Sequence, residues 1–144
     1  APPLRDGSTA EGMWRALEHG GIDVVGSDHS PYPLEAKRPG HTDIFAIPYG
    51  APGIETMLPL LVDAFIQRGW PLELLAKVVS ANPARIFGVW PQKGSLTPGF
   101  DADFVLVDPK GERRISASEL HSRAGYTLYE GRVVQGTIVA VYLR

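Results

Sequence analysis

Only one short run in the first half of this chain is suited to a buried strand. Ile22-Asp23-Val24-Val25-Gly26 is rich in strand formers, follows a glycine pair and runs into the polar string Ser27-Asp28-His29-Ser30-Pro31. Helical patterns lie on both sides of it. Met13, Trp14 and Leu17 share a face behind the capping candidates Asp6, Ser8 and Thr9, and Gly20-Gly21 closes that helix. Ile54, Met57, Leu58, Leu61, Val62 and Phe65 fall on a second helical face ended by Gly69. Pro71 starts a third helix, and Asn82-Pro83 reads as the cap and first-turn proline of a fourth, ending near Gly88. Helix, strand, loop and helix in this order form the unit of a parallel α/β layer, in which sites gather at the carboxyl ends of strands. A lone strand cannot bury the one-sided apolar stripes of four helices, so a partner layer is required. A homodimer, a higher assembly or a missing N-terminal portion would supply it.

The remainder of the chain reads differently. From Pro31 to Pro52 prolines and glycines are too dense for regular helix or central strand, and a long loop within a domain is usually functional. After Trp90 the period shifts to that of strands. Ala102 to Asp108 is one, Arg113 to Ser116 a short one, and Arg132-Val133-Val134 with Thr137 to Tyr142 reads as a pair joined at Gln135-Gly136. Gly88, Pro91, Gly94, Pro98 and Gly99 mark a boundary, giving an α/β part over 1–90 and a β part over 91–144. The chain opens on Ala1 without Met and closes on strand-like residues, so it is expected to be a piece of a longer protein.

Charge and composition remove several classes of function. Fourteen basic against sixteen acidic residues leave a net charge of -2, with no basic stripe for nucleic acid and no polybasic anchor for a membrane surface. No apolar run is long enough to span a bilayer, and no leader pattern occurs at the start. Cysteine is absent, which removes disulfides and thiolate metal sites and fits a cytoplasmic setting. Any metal must be held by His, Asp or Glu.

Asp28 is the leading candidate for chemistry. A carboxylate where a strand meets its loop can hold a metal or act as a general base, and it can equally well cap an Asx turn. His29 is either a ligand or a hydrogen-bond partner. His19, His41 and His121 form no HxH and no helical i, i+4 pair. Ser27 and Ser30 sit in no nucleophile elbow, and no glycine pattern fits a phosphate loop. Tyr126, Tyr129 and Glu130 read as packing at a junction.

Taken in order, PPLRD, IDVVGSDHSPY, YGAPGIETMLPLL, SANPARIFG, KGSLTPGFDADFVLVDP and HSRAGYTLYEGRVVQG resemble the C-terminal third of the cyclic amidohydrolases, the group of hydantoinases or dihydropyrimidinases, allantoinases and dihydroorotases. The resemblance covers essentially the whole chain. It implies an α/β fold class: the last strand and helices of a (β/α)8 barrel, plus part of a small β-sandwich built from both chain ends. It implies hydrolysis of a ring C–N bond in a cyclic amide, imide or ureide at a centre of one or two metal ions, usually zinc. Ile22 to Ser27 becomes the last barrel strand, and Asp28 the metal-ligating carboxylate that carries a proton from water to the leaving nitrogen. Ala51, Pro52 and Gly53 lie by the substrate ring, and Pro2 to Arg5 border the pocket.

The departures are as informative. The HxH pair, the carboxylated lysine and the further histidines of the family are missing from this chain. One carboxylate is short of the about three protein ligands that catalytic zinc needs, so the chain by itself is expected to be inactive and to bind no zinc. A non-catalytic assembly or scaffold module derived from the same fold is the alternative. Dihydroorotases place a histidine where Tyr32 stands, fourth after the aspartate, so hydantoinase or allantoinase types are favoured and Tyr32 becomes a substrate-side candidate.

Overall fold

Asp6 opens the first element by accepting a hydrogen bond from the Thr9 N–H at 2.8 Å, a side-chain cap for helix α1, Gly7–Glu18. The computed structural model describes residues 5–144, with the side chain of His41 excepted. Pro2, Pro3 and Leu4, expected beside the pocket, lie outside the described residues, and Arg5 is exposed. Helix α1 docks through Arg68 of α2 (Ile54–Arg68), whose guanidinium grips Glu11 at 2.7 and 3.0 Å and lies 4.9 and 5.2 Å from the rings of Trp14 and Trp70. Leu17, Leu61, Val62, Phe65 and Leu75 form the core, with Ile22, Val25, Met57 and Val107 packed around it.

Between the two helices the proline-rich stretch makes no α-helix or ladder strand but two 3₁₀ segments, Leu34–His41 of eight residues and Ile44–Ala46 of three. Beyond α2, helix α3 (Leu72–Ala76), a widened π-type turn (Lys77–Ala81) and helix α4 (Asn82–Ile86) follow without a break. This corrects the reading of Asn82 as a helix cap, because its own backbone is helical. Pro83 has no N–H and its ring crowds the carbonyl four residues back, so the helix widens ahead of it instead of stopping. The Asn82 amide is free to donate to the Asp23 carbonyl at 3.0 Å, and the Val78 carbonyl accepts from Val25 N–H at 3.1 Å.

Those two bonds hold the segment expected to be a buried strand, and here a second correction is needed. Ile22 to Ser27 pairs with no strand among the described residues, and its apolar side chains are only half-buried. A strand is defined by its neighbours, and among the described residues none forms a ladder with it.

The β part is one antiparallel pair, β1 (Phe104–Arg114) and β2 (Val133–Tyr142). The two expected breaks coincide at one bulge. Asp108 pairs with Thr137 and Glu112 with Gln135, so residues 109–111 loop out opposite Gly136 while both strands continue. The loop is internally satisfied: Lys110 N–H donates to Asp108 Oδ1 at 2.9 Å, and Gln135 Nε2 to the Pro109 carbonyl at 3.1 Å. Gly136 is no hairpin turn. Its φ is 90°, and a Cβ there would collide with Val62, so glycine lets β2 settle on α2. Buried Asp63 seals that junction, accepting from the Gln135 N–H at 3.0 Å, with Arg132 Nη2 at 3.4 Å from its other oxygen. At the far end of the pair, Lys93 and Arg144 close on Asp101 and Asp103. Asp103 is hydrogen-bonded by both cations, whereas each lies 3.2 Å from buried Asp101 Oδ2 without hydrogen-bond geometry. No described helix is long and apolar enough to cross a membrane.

Candidate active site

Asp28 is the one described non-glycine residue at positive φ, 45°, a left-handed conformation that Asp tolerates better than most residues. It follows the Ile22 to Ser27 segment and is exposed. The segment after the proline-rich loop returns beside it: His29 and Ala51 form a parallel bridge, and Ser30 N–H donates to the Ala51 carbonyl at 3.0 Å. Gly50 makes this return possible. Its φ is 108°, and a Cβ there would strike the Ser30 side chain. Lys37 fastens the same turn from within the loop, donating from Nζ to the Pro48 and Gly50 carbonyls at 2.9 and 2.7 Å.

The result is a cavity of about 580 Å3 that brings Asp28, Ala51, Pro52 and Gly53 together. Its floor is the face of α2 at Thr56, Met57 and Leu60, and its far wall is Leu128, Tyr129 and Arg132. Tyr129, read from sequence as junction packing, therefore also lines this space. Tyr32 does not. It is exposed, its ring lies 6.0 Å from Lys37 Nζ, and it takes no part in the lining.

His29 takes a role that sequence left open. Its Nδ1 accepts from the N–H groups of Gly53 and Ile54 at 3.0 and 3.2 Å, serving as the cap of α2 that Gly53 cannot provide. Glu55, the next residue of that helix, turns outward. It accepts from the N–H groups of His121 and Ser122 at 2.9 Å and lies 2.9 Å from His121 Nδ1, so the loop after β1 is tied to the mouth of the site. The His121 N–H is the main cause holding the Glu55 carboxyl below its ordinary range, with the imidazole and the Ser122 N–H acting in the same direction against burial. Lys37 and Glu55 went unnoticed in the sequence. A helix start with glycine where a capping side chain belongs was the available signal for His29.

Among the described residues no group of three or more His, Asp or Glu comes together to hold a metal. Catalytic zinc needs about three protein ligands, so the described residues do not by themselves fit a zinc centre, and no chemical step is assigned to one.

The amidohydrolase family model matches residues 4–143. An L-hydantoinase of Paenarthrobacter aurescens is 38% identical over 145 residues, taking in 100% of this chain and 32% of the relative. An allantoinase of Deinococcus radiodurans is 44% identical over 145 residues, 100% of this chain and 31% of the relative. A solved D-hydantoinase (dihydropyrimidinase) from Thermus sp. superposes with a TM-score of 0.94 at 36% identity over 99% of this chain and 31% of that one. The chain thus spans about a third of the length of the relatives it matches. With nearly every residue inside one family model, this chain belongs to the amidohydrolase family.

Proposed function

We propose that this chain is the C-terminal portion of a cyclic amidohydrolase that opens a five-membered ureide or imide ring of the hydantoin or allantoin type. The observation that carries the reading is the single cavity lined by both Asp28 and the Ala51–Gly53 ledge. Water adds to a ring carbonyl carbon, the C–N bond breaks, and the nitrogen leaves with a proton, so a group must take a proton and return it. In this reading Asp28, a carboxylate among the residues lining the cavity, makes both transfers. On the same reading the Ala51–Gly53 ledge, which lines the same cavity, lies beside the ring. Zinc is an implication of the family, and its remaining ligands would have to come from outside this chain. The hydantoinase and allantoinase names of the relatives support these substrates over a dihydroorotase-type ring, as does Tyr32 at the fourth position after Asp28.

The division into a barrel part over 1–90 and a sandwich part over 91–144 belongs to the same proposal. So does a further layer of protein, from the rest of a longer chain or from a second copy. Its support is the apolar surface left open, with Phe45 84%, Leu96 77% and Leu143 77% exposed. A cytoplasmic location follows the same reading.

The test is a ring-opening assay of the complete protein, as its gene encodes it, with allantoin and with 5-substituted hydantoins of both hands. Release of the ring-opened carboxylate from one of them is expected. No turnover of any, by a folded and metal-replete protein, favours the second reading, a non-catalytic scaffold. The specific observation behind that alternative is the lack of a ligand cluster among the described residues.

A further inference from the structure

Helix α2 begins at the ledge, and its first N–H groups have no intrahelical partner. Gly53 has no side chain to satisfy them, and none of the local residues does so. His29 supplies the acceptor from the other loop, with one Nδ1 lone pair shared between Gly53 and Ile54 at 3.0 and 3.2 Å. An accepting Nδ1 is unprotonated, which leaves the ring hydrogen on Nε2. His29 is also bonded directly to Asp28, whose left-handed backbone persists only if its surroundings hold it. Its neighbour Ser30 binds the Ala51 carbonyl on the same side.

We propose that His29 is a positioning residue. Its imidazole locks the start of α2 to the loop that carries Asp28 and so fixes the separation between the Asp28 carboxylate and the Ala51–Gly53 ledge. The inference rests on the reading of Asp28 and the ledge given above. His29 acts through those two groups, and the atom that matters is Nδ1.

Three substitutions in the complete protein separate that atom from the rest of the ring. In His29→Asn the amide oxygen falls near the place of Nδ1, in His29→Gln it falls near that of Nε2, and His29→Leu removes both. Turnover of allantoin or a 5-substituted hydantoin, whichever the protein opens, should drop about 10–100-fold in kcat for Leu and Gln while Asn stays within about threefold of wild type. Amide hydrogen exchange of the peptide spanning Gly53 and Ile54 should accelerate in Leu and Gln and stay slow in Asn. Gln matching wild type while Asn falls, or all three retaining full turnover, overturns the proposal. If the Leu variant does not fold, the Asn and Gln pair still decides. Asp28→Asn runs alongside: turnover retained there removes the reading of Asp28, while the exchange pattern continues to test the clamp by itself.

Discussion

Two regions of similar apolar character behave in opposite ways. Where β2 meets α2, the complementary surface lies inside the chain: Val62 fills the space left by Gly136, Asp63 takes the Gln135 N–H, and Val134 is buried. The segment from Ile22 to Ser27 has comparable strand formers, yet among the described residues it is held by Val25 to Val78, by Asn82 to Asp23 and by the packing of Ile22 and Val25 on the core. The difference is where the complementary surface resides. Strand character written into a sequence becomes a strand only when a neighbour is available, and the candidate site lies at the end of the segment that lacks one.

That contrast can be broken or sharpened by substitution. The largest loss is expected at Phe65→Ala, because the ring is 0% exposed at the centre of the well-partnered region. About 3–5 kcal/mol should disappear in urea denaturation. Gly136→Ala should cost about 2–4 kcal/mol, combining left-handed strain with overpacking against Val62. A cost near zero would mean that β2 does not press on α2 as described. Val24→Ala, in the unpartnered segment, should cost under about 1 kcal/mol in this 144-residue chain because its side chain is only half-buried. The same change in the complete protein should cost roughly twice as much if further strands cover it. Equal costs in the two settings would remove the covering layer.

The smallest effect concerns acid. Contacts led by the His121 N–H lower the folded-state pKa of Glu55, so their stabilising contribution is present in full above the unfolded carboxylate value of about 4.3. It is lost as pH falls through that value towards the folded one. Thermal melts from pH 7 down to 3 should therefore show Glu55→Gln flattening the acid limb, and a Gln variant with an unchanged slope would detach the His121 loop from the site.

Much of this was legible in the chain. Asp6 capping α1, the apolar face of α2, its stop at Gly69 and the broken stretch between Pro31 and Pro52 follow from local rules that need no distant partner. The errors lay where local signals have two outcomes. Asn82-Pro83 marks a helix start in isolation, but here it lies inside a helix that widens to admit the proline. Gln135-Gly136 resembles a turn, and the glycine instead makes room for α2. At the site, Asp28 stood out by its place after an apolar run and the Ala51–Gly53 ledge only through the family resemblance, whereas the contacts of His29, Lys37 and Glu55 were not legible, since they act on backbone groups more than ten residues away.

The most direct measurement is the kcat of an Asp28→Asn variant of the complete protein on the ring it opens, with folding and metal content checked in parallel. A carboxylate that shuttles the proton gives a fall of at least about 100-fold with the protein still folded. Wild-type turnover from that variant would contradict the assignment of Asp28.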